Sequence, residues 1–102
     1  MSDKMEFACV FKDIKGRLCT TTSQLVFGSS STTFQFPWHL VDKVEANLIR
    51  IGGKAAPAVI VHIKGASSSS DIKNGVYTFH GFRDVDGVLL QLLKFIARQH
   101  QQ

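Results

Sequence analysis

No stretch of this 102-residue chain approaches the roughly 20 consecutive apolar residues that a bilayer-spanning helix needs, so no transmembrane segment is expected. The amino-terminal MSDKMEF carries acidic residues and has no apolar h-region, so it does not read as a secretory signal. Cysteine is scarce. Cys9 and Cys19 lie within apolar, extended runs, and two cysteines make no disulfide framework. Both are expected as reduced, buried thiols of an intracellular protein. His39, His62, His80 and His100 share no ligand spacing, and alternation along strands would send them to different faces, so neither a metal nor a cofactor is expected. Internal repeats and domain boundaries are missing as well. Residues 1–102 form one domain, long enough to bury a core without disulfides or metal.

Catalytic signals are absent in the same way. The hydroxyl-rich stretches Thr20–Ser23 and Ser67–Ser70 place no serine in a nucleophile elbow or beside a base. Gly52-Gly53-Lys54 and Gly81 lack the strand–loop–helix setting of a phosphate-binding loop. An enzyme is therefore not expected. Nucleic acid is not expected either, because RNA binding wants exposed aromatics interleaved with cations, whereas Phe34 and Phe36 read as core.

What the chain does contain is short β-branched and aromatic runs separated by Gly, Ser, Pro and Lys. Glu6–Phe11 alternates Phe7, Cys9 and Phe11 onto one face. Lys12–Gly16 is a polar turn, Arg17–Thr22 a second strand, and Gln24–Phe27 a third in a meander. The serine-rich turn 28–32 leads to Thr33–Phe36, which Pro37 ends because it cannot donate to a ladder. Trp38 is expected to pack in the core or along an edge. Val41–Ile51 is read as a strand from its β-branched content and the Gly52-Gly53 turn behind it, although Val41–Leu48 also admits a helical turn. Pro57 starts the next run, with Val59, Val61 and Ile63 alternating. Gly65–Gly75 is an exposed, flexible low-complexity loop, and Val76–Phe82 is the last strand.

Only the last quarter has a helical period. Val85, Val88, Leu89, Leu92, Leu93 and Ile96 fall on one stripe, predicting a helix over about 84–98 whose Leu89 and Leu92 are buried. Asp84 or Asp86 caps its start, and Lys94 and Arg98 suit the dipole at its end. The expected fold is mainly β, with seven strands and one carboxy-terminal helix plugging a small barrel or sandwich.

The residues also resemble a known family. Gly16–Phe27 (GRLCTTTSQLVF) resembles the opening of GRAM domains, the pleckstrin-homology (PH) variant found in lipid-transfer proteins, myotubularins and Rab GTPase-activating proteins. Phe34–Asn47 (FQFPWHLVDKVEAN) and Tyr77–Leu92 (YTFHGFRDVDGVLLQL) resemble its middle and closing stretches. Cys19 stands where the family has an aromatic, and Arg83-Asp84 sits one residue early. The resemblance implies a PH-like barrel of two orthogonal antiparallel sheets with the helix at one corner. Two other PH-type groups share this skeleton, the amino-terminal domain of the large TFIIH subunit and the GLUE domain of an ESCRT-II subunit.

Twelve Lys and Arg against eight Asp and Glu give a net charge of +4, a tilt toward an acidic partner. Lys12, Lys15 and Arg17 lie on the first hairpin, where the resemblance places the cations of phosphoinositide-binding PH domains. Lysine supplies point charge and arginine a bidentate fork to phosphate oxygens. Arg50 and Lys54, and with them Lys73, are candidates to widen the patch at the same rim. The resulting expectation is a non-enzymatic, monomeric adaptor, cytoplasmic or peripheral to a membrane, that binds anionic lipid headgroups or a protein partner. The alternative is a purely protein-interacting module of the TFIIH or GLUE type, which docks acidic-hydrophobic peptides or ubiquitin-like partners and would be nuclear in the TFIIH case.

Overall fold

Seven antiparallel strands and one long helix make up the computed structural model, which describes residues 5–69 and 71–100. The strands are β1 (Met5–Phe11), β2 (Ile14–Thr20), β3 (Gln24–Gly28), β4 (Thr33–Pro37), β5 (Val41–Ile51), β6 (Lys54–Ile63) and β7 (Gly75–His80). A 3₁₀ turn, Trp38–Leu40, links β4 to β5, and α1 covers Val85–His100. Val41–Ile51 is a strand throughout, as its composition and the Gly-Gly turn predict.

The strands pair in the order β4-β3-β2-β1-β7-β6-β5. They form two meanders, β1–β4 and β5–β7, joined by a narrow seam in which only Val10↔His80 and Phe11↔Phe79 pair. The sheet curls around a single core, and α1 packs against β5, β6 and the 3₁₀ turn.

Alternation explains what is inside. Phe11, Leu18, Leu25, Phe27, Phe36, Val59, Val61 and Phe79 are all at most 2% exposed. Phe11 stacks on Phe79 with centroids 4.6 Å apart and meets Phe27 edge-on at 5.4 Å. Such pairs add about 0.5–1.5 kcal/mol beyond the area they bury. Trp38 is core, as expected. Its indole lies 5.3 Å from and nearly parallel to Phe95, and its Nε1 donates to the Thr21 carbonyl at 2.8 Å. That stack fastens the helix over the β2–β3 turn.

Asp84 is the residue that caps the helix. Its Oδ1 accepts from the Gly87 amide at 3.1 Å, while its carbonyl accepts from the Val88 amide. The buried stripe runs through Val88, Leu92, Phe95 and Ile96. Leu92 is fully buried, but Leu89 is only half-buried and Leu93 faces outward. The helix is rotated toward Phe95, because that ring has Trp38 to stack on and Leu93 has no comparable partner.

Local expectations are corrected at five further places. The first turn is only Lys12-Asp13, so Lys15 and Gly16 belong to β2. Thr21 and Thr22 follow that strand in a turn, where the Thr21 hydroxyl donates to the Gln24 carbonyl at 2.9 Å. Pro57 lies inside β6 opposite Leu48, beyond the point where β7 ends at Ala58↔His80, so its missing donor breaks no ladder on that side. The 65–75 loop is anchored rather than free: Ile72 is buried in the core, and the Asn74 Oδ1 accepts from the Ala66 amide at 2.8 Å. Cys19 is half-buried on the outer face, paired across strands with Glu6, while Cys9 faces the core.

Candidate functional site

Which end of the sheet a residue occupies follows from strand direction. β1 ends at the Lys12-Asp13 turn. β3 and β6 run parallel to β1, each being antiparallel to a neighbour of β1, so their ends lie at the same end of the sheet. The β1–β2 turn, the β3–β4 turn and the 64–74 loop therefore surround one open end.

Lys12 stands at the centre of that end. Both turn residues have positive φ, 52° for Lys12 and 64° for Asp13, the backbone that a two-residue hairpin needs to match strand twist. Left-handed backbone costs a residue with a Cβ roughly 1–2 kcal/mol. Aspartate relieves part of that cost and lysine does not, so Lys12 is held strained. Its Nζ lies 5.5 Å from the centroids of both Phe11 and Phe34, so the cation sits over two aromatic rings at this end.

Lys15 and Arg17 follow on β2, two residues apart, and both are exposed on the outer face because Ile14, Gly16 and Leu18 take the inner one. Arg17 also faces Glu6, at 3.9 Å. The hairpin therefore presents Lys12 at the open end and Lys15 and Arg17 on the outer face of β2, the charge of Arg17 partly offset by Glu6. Gly16, between them, is required by packing: a Cβ there would lie 2.7 Å from the Phe27 Cζ and would collide with the Gly28 carbonyl oxygen.

Lys73 joins this end. Tyr77 Oη donates to the Lys73 carbonyl at 2.6 Å and so fixes the loop beside β7. Between turn and loop runs a groove of about 430 Å³, lined by Phe11, Lys12 and the 74–78 segment. Val76 on its wall is 58% exposed.

Comparison with known proteins finds no family model that matches the chain, and no match among curated proteins.

Arg50 and Lys54 do not share this rim. They flank the β5–β6 turn, where Arg50 Nη1 donates to the Gly53 carbonyl at 3.4 Å. β6 starts there, so that turn lies at the end where β1 begins, opposite Lys12. Beside it a second groove, of about 540 Å³, lies between the hairpin and the start of α1; Ala46, Leu48, Pro57, Phe82 and Val85 line it with Arg83, Asp84 and Asp86. Leu48 is 66% exposed. A third cleft, about 590 Å³, opens where β1 and β7 part, between Met5–Ala8 and Gly81–Asp84.

His62 Nε2 lies 2.8 Å from Glu45 Oε2, with Lys43 Nζ 3.6 Å from the same oxygen, on the outer face of β5 and β6. Burial pushes the Cys9 thiol up to about 12. Among the described residues no three His, Cys, Asp or Glu side chains gather as metal ligands, and no helix is long and apolar enough to cross a membrane.

Proposed function

We propose that the chain is a non-enzymatic PH-like module of the GRAM type that binds the phosphorylated headgroups of anionic membrane lipids. It would serve as an adaptor, bringing its parent protein or itself to a membrane surface. The two meanders correspond, in this reading, to the two orthogonal sheets of the PH arrangement, with α1 across one corner. The observation that carries the proposal is the first hairpin: Lys12 held in a strained turn at the open end, with Lys15 and Arg17 exposed on the adjoining strand. Strain kept at an exposed cation is the kind of local cost that functional sites retain.

Basic residues near an anionic surface contribute about 1 kcal/mol each. Three of them, discounted for the Glu6 partner of Arg17, amount to roughly 2–3 kcal/mol, or about one and a half to two orders of magnitude in affinity. Co-sedimentation with phosphoinositide-containing vesicles tests this, comparing wild type with Lys12→Glu/Lys15→Glu/Arg17→Glu. The variant should lose binding at low salt while keeping its unfolding midpoint, and wild-type binding should weaken as salt rises. Equal binding by both proteins would remove the hairpin from the site.

A different surface favours a second reading, a protein-interaction module. Leu48 is exposed on the edge strand β5 beside a groove lined by Arg83, Asp84 and Asp86, Arg50 and Lys54 flank the β5–β6 turn, and Leu90 and Leu93 are exposed on α1. Exposed apolar side chains at an edge strand whose turn carries Arg50 and Lys54 suit an acidic-hydrophobic peptide. Saturable binding of such a peptide, with no wild-type binding to anionic vesicles, would select this reading.

A further inference from the structure

Ser67, Ser68 and Ser69 are all exposed, yet the loop that carries them is tied down on both sides. Its base is closed by the Ala66 amide donating to Asn74 Oδ1, Ile72 plugs into the core, and Lys73 is held by Tyr77. The descending arm alternates around Ile72. Asp71 borders a groove with His39 and Leu40, whereas Lys73 shares a groove of about 320 Å³ with Ser67 and Ser68. Asn74 lines both that groove and the one lined by Lys12. Serines, Lys73 and Lys12 thus follow one another around the open end.

We propose that Ser67–Ser69 is a phosphoryl-acceptor segment whose modification pairs with Lys73 and switches off anion binding at the adjoining rim; the switching half rests on the lipid-binding reading above. The modifying agent is a protein kinase that selects serines followed by an acidic residue, here Asp71, with ATP and magnesium as co-reactants. A serine oxygen bonds to the γ-phosphorus as the bond from that phosphorus to the β–γ bridging oxygen breaks. ADP leaves with that oxygen, and the hydroxyl proton passes to the kinase's base. The product carries about −1.5 to −2 charges at neutral pH and three strong acceptor oxygens. Lys73 lies on the serine side of the loop and Asp71 on the other, so the new anion meets a cation first. It neutralises Lys73 and places negative charge on the rim that a lipid phosphate would approach.

The test uses the whole chain, incubated with an acid-directed serine kinase and magnesium-ATP, with the modified residues mapped by mass spectrometry. The phosphate is then titrated by ³¹P NMR in wild type and Lys73→Ala, and both forms of the protein are sedimented with phosphatidylcholine vesicles containing a phosphoinositide. Modification should fall within Ser67–Ser69, and the phosphate should ionise at lower pH in wild type than in Lys73→Ala. Vesicle binding should drop by on the order of tenfold or more, the loss expected when about two charges oppose the rim. No modification in the segment, or identical titration in the two proteins, overturns the proposed pairing. Unchanged vesicle binding after modification overturns the switch and leaves lipid binding intact. Failure of the unmodified protein to bind vesicles, with the Lys73-dependent titration preserved, overturns the lipid reading and the switch together and leaves the phosphate site standing.

Discussion

Gly16 and Gly28 lie on neighbouring strands, yet the same substitution should have opposite effects at the two positions. Gly16 faces inward, and a Cβ there would lie 2.7 Å from the Phe27 Cζ, 3.1 Å from its Cε1 and against the Gly28 carbonyl oxygen. Phe27 is fully buried and touches Phe11 and Phe79, so its ring has no empty space to enter. The carbonyl belongs to the ladder between β2 and β3, where Arg17 pairs with Gly28. Gly16→Ala should therefore cost about 1–3 kcal/mol, the usual range for overpacking a filled core, with the upper part favoured because one colliding atom is backbone. At Gly28 nothing lies within 4 Å of a new Cβ. Gly28→Ala should be neutral or stabilising by about 0.4–1 kcal/mol, since it removes freedom from the unfolded chain. Urea unfolding of both variants at unchanged m-value gives the two differences directly. Equal midpoints for the two would mean that β2 does not approach Phe27 as described.

Leu92→Ala should cost about 2–5 kcal/mol, because Leu92 is fully buried beneath the helix; an unchanged thermal midpoint would show that α1 does not close the core. Trp38→Phe keeps the stack on Phe95 but leaves the Thr21 carbonyl without its indole donor, a loss of about 1 kcal/mol measurable by urea unfolding. In the native protein an alkylating reagent near pH 8 should modify Cys19 and spare Cys9, and unfolding should expose both to mass-spectrometric counting. The raised Cys9 value also has a definite sign. The folded state favours the neutral thiol, so this contribution is complete below about 9 and is lost as pH rises toward about 12, which pH-dependent unfolding will register as falling stability.

Strand positions were legible because period-2 alternation survives in Phe7/Cys9/Phe11, Phe34/Phe36 and Val59/Val61/Ile63, and each set packs inward or against the core. The terminal helix was legible from its period, but its rotation was not, since Leu93 and Phe95 both fit an apolar stripe and only the distant Trp38 decides between them. The turn after Phe11 was legible but its two-residue length was not, because neither Lys12 nor Asp13 is the glycine or asparagine that normally marks left-handed backbone. Ile72 escaped because one apolar residue in a polar loop has no period at all. For the candidate site, Lys12, Lys15 and Arg17 are neighbours in sequence, but Lys12 reaches over Phe11 and Phe34 while Lys15 and Arg17 lie on the outer face of β2, a division set by the turn backbone. Whether Lys73, Arg50 and Lys54 joined them depended on strand direction across the β1–β7 seam, which no local pattern encodes.

The decisive measurement is an NMR titration of ¹⁵N-labelled protein with a soluble, short-chain phosphoinositide. Binding at the open end predicts saturable shifts concentrated in the amides of residues 10–17 and 73–78, with those of residues 50–54 unchanged. Shifts clustered at Ala46–Pro57 and the start of α1, or no shifts at all, would contradict it.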